Sequence, residues 1–329
     1  MKAFAKQWPG LAACLGIAAM ATAVSRVIPV LSAPICAIIL GVLASVFLRR
    51  DGESTVTRRL APGTGTAGKQ LLQVAVVLLG TQLSLTQVAR TGLSSLPVML
   101  GTLAACLIAA VVIGRALRIG KDLRTLIGVG TGICGASAIA AITPVIGAVE
   151  ADVAYAVSTI FVFNIAAVLT FPLIGHALGL SQASFGLFAG TAVNDTSSVV
   201  AAATSYGALA TRHAVVVKLT RTLLIIPVSL TLAARSGREV KRTRLVPWFL
   251  IGFLVASAAD TIGLVPAGAR AASSDLSVFL IAVALAGIGL STNARGLRRA
   301  GPRPLLLGAC LWIVVSATSL ALQAAFGMA

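Results

Sequence analysis

A run of some twenty consecutive apolar residues leaves a chain few options. It spans a bilayer as a helix or it lies deep in a very large core. Such runs recur here along all 329 residues. Eleven can be read, near 9–25, 29–48, 70–89, 96–115, 124–147, 152–174, 184–206, 213–234, 246–265, 275–292 and 304–325. Charged residues make up 11% of the chain, against about 25% in a soluble domain. The expectation is an all-α membrane protein of about eleven transmembrane helices, in one domain with no room for a soluble one. The run at 9–25 follows Lys2 and Lys6 and contains Ala21-Thr22-Ala23, so it mimics a signal peptide; with so many spans behind it, it is read as a retained first span.

The net charge of +17 does not point to nucleic acid, because the basic residues fall in short loops between apolar runs and aromatic residues are few. Twenty Lys and Arg lie on the N-terminal side of the alternation, and four, Arg26, Arg90, Arg212 and Arg270, on the other. That asymmetry predicts a cytoplasmic N-terminus and an outer C-terminus. The stretch 49–69, rich in charge, Gly and Pro, is predicted as a cytoplasmic loop with a short surface helix.

Residues 75–84 (Ala-Val-Val-Leu-Leu-Gly-Thr-Gln-Leu-Ser) resemble 282–291 (Ala-Val-Ala-Leu-Ala-Gly-Ile-Gly-Leu-Ser), and the same shift of 207 pairs Pro97 with Pro304 and Gly101 with Gly308. Seven spans separate the copies, so they would run in opposite directions, as in the inverted repeats of secondary transporters. Two segments resist a continuous helix. Gly128, Gly130, Gly132 and Gly135 fall within eight residues, each costing a helix interior about 0.8–1.0 kcal/mol relative to Ala. Gly190-Thr191-Ala192-Val193-Asn194-Asp195-Thr196-Ser197-Ser198 is the other. Irregular backbone survives at membrane depth only where it is buried in protein or lines a cavity. Half-helices starting near Ser137 and Thr196 would offer free N–H groups and a positive dipole end to an anion. The alternative is close packing through small residues. The span count makes the two broken helices parallel, whereas a simple inverted repeat makes them antiparallel, so the repeat is permuted or one segment is re-entrant.

Asp195, Lys218 and Arg221 lie deep in these apolar stretches. A charge at mid-bilayer costs about 2.5–3.5 kcal/mol on insertion scales, so such residues mark a substrate or ion path. Lys218 and Arg221 share a helix face at i and i+3. With Asp195 neutralising one cation, one positive charge remains, which suits a small oxyanion. The competing readings are a buried ion-pair network that locks two helices and a Lys218 that snorkels to the outer interface. His176, His213 and Asp260 fall near span ends, and Glu150 and Asp152 in an outer loop, where solvated or interfacial roles are expected.

The five cysteines lie in apolar runs without metal or disulfide spacing, so neither a metal nor a cofactor is expected. An enzyme is not expected either. There is no His-Glu-x-x-His, no Walker loop, no second glycine after Gly135-Ala136-Ser137-Ala138, and one deep carboxylate where an intramembrane protease needs two.

The segments Gly132–Ala141, Val153–Ile160, Asn194–Ala202 and Val217–Thr222 resemble the sulfate exporter family, conserved hypothetical proteins of the bacterial inner membrane whose substrate label is itself inferred. The resemblance runs along nearly the whole chain. That family is similar to the cation/proton antiporter and bile-acid symporter superfamily. The likeness implies crossing broken helices, a core bundle at about 70–234 moving against scaffold helices at about 9–48 and 246–325, and a homodimer in the plasma membrane. It implies a secondary transporter that exports a small anion such as sulfate or a sulfonate by alternating access. The substrate residues would be Gly132, Cys134, Gly135, Ser137, Asn194, Thr196, Ser197, Ser198, Lys218 and Arg221, with Asp195 coupling to H+ or Na+. The rival reading is a sodium/proton antiporter using Asn194-Asp195.

Overall fold

The computed structural model describes residues 2–27, 33–48, 55–236, 247–291 and 302–328; these are helical almost throughout and contain no strand. Among the described residues six helices are long and apolar enough to cross a membrane: Lys6–Ser25, Leu85–Ala116, Glu150–Ala177, Ala208–Ala234, Gly268–Ser291 and Pro302–Ala325. Shorter apolar helices are Cys36–Leu48, Ala136–Ile146 and Trp248–Thr261. The protein is thus a multi-helix membrane protein. Others of the eleven apolar runs fold, among the described residues, as shorter or interrupted helices.

The described residues separate into two compact units. The first comprises Met1–Val88 and Trp248–Asn293. It holds α1 (Lys2–Val27), α2 (Ala33–Leu48), α3 (Thr55–Thr66), a π-helical turn (Ala67–Leu71) leading into α4 (Leu72–Gly80), and later α13 (Trp248–Thr261) and α14 (Ala267–Ser291). Its core is built from small residues, among them Cys14, Ala18, Ala21, Cys36, Ala37, Ala67, Ala282 and Ala286. Lipid is as apolar as Leu, so helices here gain from close backbone approach rather than from hiding large side chains. A Cβ at Gly41 would lie 2.7 Å from the Ala286 carbonyl, and one at Gly289 2.7 Å from that of Ile38, which is how α2 and α14 come together. Gly10 and Gly63 meet in the same reciprocal way. Of the stretch 49–69, read as a loop with a short surface helix, residues 49–54 lie outside the described residues and 55–66 do form a helix, but one packed on α1 and continuous with α4. The predicted span 70–89 is also corrected. Helix stops at Gly80 and turns through Thr81–Ser84, where polar Thr81, Gln82 and Ser84 interrupt the run. The two resembling segments fall on α4 and α14, which pack together, but the first copy leaves the helix at Gly80 while the second is helical to Ser291.

The second unit comprises Ala89–Pro247 and Ala294–Ala329. It takes most of α5 (Leu85–Ala116), then α6 (Lys121–Gly132), α7 (Ala136–Ile146), α8 (Glu150–Ala177), α9 (Gln182–Ala192), α10 (Thr196–Tyr206), α11 (Ala208–Leu223), α12 (Ile225–Ser236) and α15 (Pro302–Ala325). The last helix, expected with the scaffold, packs here on α6, α8 and α9. An aromatic stack holds one end: Phe171 lies 4.7 Å from Phe188 and 5.2 Å from Trp312 between ring centroids. His176 stacks on Tyr206 at 4.3 Å. Gly186 and Gly190 on α9 bring its backbone against α11, where a Cβ at Gly190 would meet Val217 at 2.7 Å and the Ala214 carbonyl at 3.0 Å. Glycines four apart present one bare helix face. That face sets the approach of α11, and with it the position of the two cations α11 carries.

Candidate functional site

Both predicted interruptions are real breaks. α6 and α7 are 12 and 11 residues long, about 18 and 16 Å at 1.5 Å per residue, roughly half the ~30 Å hydrocarbon thickness each. α9 and α10 are 11 residues each. The breaks differ in backbone. At the first, Gly135 has φ +66° and ψ −133°, a region closed to side chains with a Cβ. At the second, Val193 and Asp195 are extended (φ −84° and −103°), and the Asp195 carboxylate caps α10, accepting from Ser197 N at 3.0 Å and from the Ser197 hydroxyl. A Cβ at Gly135 would lie 3.4 Å from Asp195 Cβ and 3.5 Å from the Asn194 carbonyl, so the two breaks touch.

α11 lies against both. Lys218 Nζ donates to the Ile133 and Val193 carbonyls, each at 2.8 Å. Arg221 donates through one terminal nitrogen to the Thr191 carbonyl and through the other to that of Thr131 at 3.4 Å. Ile133 and Val193 are the C-caps of α6 and α9. The two cations therefore satisfy carbonyls that have no intrahelical partner and oppose the negative dipole ends of two half-helices at once. Both are 0% exposed, so Lys218 does not snorkel. Going along α11 from 218 to 221, the partner carbonyls step back from 133 to 131 and from 193 to 191. α6 runs with α8, Gly130 meeting Ile160, and α9 runs with α11, Gly190 meeting Val217, while the end of α8, at Gly175, meets Phe185 at the start of α9. The two half-helices thus approach α11 in opposite senses, not in parallel as the span count made them.

Asp195 makes no ion pair within 4 Å with either cation. Among the described residues the ion pair within 4 Å is Arg270–Asp260 at 2.5 Å. Asp195 instead serves its own helix start, and Asn164 Oδ1 on α8 accepts from Asp195 N at 3.3 Å. The acid and the bases hold opposite ends of the breaks: the bases sit at the C-termini of α6 and α9, the acid at the N-termini of α7 and α10.

The remaining predicted residues divide. Gly135, Asn194 and Asp195 meet where the breaks touch. Ser137 is exposed, and Asp195 and Thr196 are half-buried. Ser197 and Ser198 are buried in the first turn of α10, and Cys134 is buried in the first break. Asn194 is buried with its Oδ1 lacking a hydrogen-bond partner. Gly132 faces away: a Cβ there would meet Leu103 and Cys106 of α5, so its bareness serves helix packing. Four cysteines are buried and Cys310 is half-buried, and among the described residues there is neither a disulfide nor a cluster of metal-ligating residues.

Sequence reading missed Asn164, Thr131 and Thr191. The last two had a signal. Gly130-Thr131-Gly132-Ile133 and Gly190-Thr191-Ala192-Val193 repeat at a shift of 60, the same shift that relates the carbonyls bound by Lys218 and Arg221. Thr191 is held further by Ser319 on α15 at 2.7 Å, which accepts from Gln323 at 3.1 Å.

Residues 9–308 match the model of the family described as Conserved hypothetical protein 698. A UPF0324 membrane protein of Streptococcus pyogenes serotype M6 is 41% identical over 346 residues, covering all of both chains. One from Streptococcus agalactiae serotype V is 40% identical over 338 residues, covering 98% of this chain and 99% of its own. The chain belongs to the UPF0324 membrane protein family. A Streptococcus pneumoniae serotype 4 member is 41% identical over 342 residues, again covering both chains fully. These names state membrane residence and no substrate. No solved structure matches.

Proposed function

We propose that this UPF0324 membrane protein is a secondary transporter, not an enzyme, that moves a small anion such as sulfate or a sulfonate by alternating access. The observation that carries the reading is the meeting of two helix breaks with both cations buried behind them and accessible polar groups in front. Two C-terminal and two N-terminal half-helix ends, about half a charge each, cancel. Lys218 and Arg221 against Asp195 then leave one positive charge. The Ala136 and Ser137 N–H groups open α7 without an intrahelical acceptor, and Ser137 is exposed. An oxyanion there would meet N–H donors and the Thr196 hydroxyl directly, and Lys218 and Arg221 through their field. Asp195 is the coupling group, carrying a proton or facing Na+. The protein would work outward from the plasma membrane.

The sodium/proton antiporter reading is favoured by one fact, the partnerless buried Asn194 Oδ1 beside the Asp195 carboxylate. Asp195→Asn separates the two, because Asn caps a helix about as well as Asp while the charge is lost. In proteoliposomes, anion transport predicts sulfate-dependent flux that persists in Asp195→Asn but no longer responds to a pH or sodium gradient. Cation antiport predicts sodium-driven proton release, lost in that variant, and no response to sulfate. Absence of both signals from the unmodified protein would reject transport.

A further inference from the structure

We propose that the second unit carries a binding groove for one anionic phospholipid, separate from the helix breaks. A cavity of about 690 Å³ lies between α5, α6, α7 and α12, within the roughly 300–1,000 Å³ of ligand sites. Its walls are aliphatic, with Leu103, Leu107, Val228 and Leu232 among the lining residues, and its mouth is basic, with Arg115, Lys121 and Arg124. Asp122 is the carboxylate on the lining, with Asp152 in electrostatic reach of it, so the three cations outnumber the acids at that end.

The walls exclude a small inorganic ion as occupant, since an anion loses its hydration there and gains no partner. The mouth excludes a plain hydrocarbon. An amphiphile with an anionic head satisfies both. From Arg115 to Leu103 along α5 is about 18 Å at 1.5 Å per residue, close to the ~15 Å depth of one leaflet, so the groove has the reach of an acyl chain. Leu100 and Val111, also on the lining, are 50% and 41% exposed, which leaves the groove open sideways, the direction from which a lipid enters. The head-binding cations are at hand: Arg115 and Lys121 are exposed and their side chains make no hydrogen bond or ion pair with described residues, while Arg124 packs its stem against Gly114 and donates to the Ile119 carbonyl at 3.5 Å. They flank the α5–α6 turn, at the end of a membrane-length helix. The loop charge bias assigns that end to the cytoplasm, where anionic lipids are attracted by juxtamembrane Lys and Arg.

The test titrates the delipidated full chain in neutral detergent with dioleoyl phosphatidylglycerol, dioleoyl phosphatidylcholine or inorganic phosphate, reading bound lipid by native mass spectrometry and unfolding temperature in parallel. Phosphatidylglycerol is expected to bind one per chain and raise the unfolding temperature, and the other two to do neither. Arg115→Gln/Lys121→Gln should weaken phosphatidylglycerol about 25-fold, at about fivefold per cation, with the lipid-free unfolding temperature unchanged. Leu107→Trp, which fills the groove and spares the cations, should weaken it too. Equal binding of both lipids, an undiminished affinity in the double variant, or stabilisation by phosphate alone each overturns the proposal.

Discussion

The two helix breaks share a support and differ in everything else. Both rest their carbonyls, 131 with 133 and 191 with 193, on Lys218 and Arg221. Beyond that point the first break turns on Gly135 at positive φ and opens α7 with no side-chain cap. The second stays extended and opens α10 with the carboxylate of Asp195. Backbone carbonyls are the same for every residue, so a pair of cations can hold two unlike segments in one arrangement. The side chains are then free to diverge, which leaves one start without a side-chain cap and one acidic start side by side.

Lys218→Met should break the shared support. It leaves the ends of α6 and α9 uncapped together, and removal of one partner of a buried charged contact costs about 3–5 kcal/mol. Thermal unfolding in detergent should fall accordingly, with the Cys134 thiol becoming alkylated in a variant whose other four cysteines are replaced. Unchanged stability would show that α11 does not hold the breaks. Gly135→Ala should affect the first break alone, costing about 1–3 kcal/mol for the forced backbone region and raising Cys134 alkylation. Asp195→Ala should loosen the second, at about 1 kcal/mol for a lost cap, while Asp195→Asn changes stability by a few tenths. If the two are equally destabilised, the carboxylate is not acting as a cap. Of the changes that remove a contact, Asn164→Leu is the smallest, about 0.6 kcal/mol for a hydrogen bond between membrane helices, visible as faster hydrogen exchange at Asp195 and not at Ser137. Arg221→Ala is a poor functional probe beside these, because lost flux would not be separable from lost folding.

The breaks were legible because their residues are wrong for a helix in lipid: four glycines in eight positions, and Asn194-Asp195 between apolar turns. The pairing was not. An Asp and a Lys at similar depth suggest a salt bridge, yet Asp195 finds two donors on its own helix at Ser197, and Lys218 finds carbonyls that no residue type announces. The span 70–89 failed for a related reason. Its mean apolarity hides Thr81, Gln82 and Ser84, which end α4. Residues 55–66 look like a loop by composition, and the small residues Gly10 and Gly63 that let them pack are informative only once the two helices are known to cross.

The amino-acid order by itself determined membrane residence, helical class and the two breaks at 128–137 and 190–198, because hydropathy and backbone propensity act over a turn or two of chain. Only the tertiary structure decided which groups the buried charges serve. Those contacts join residues 25 to 90 positions apart through main-chain atoms, and main-chain atoms leave no trace in composition.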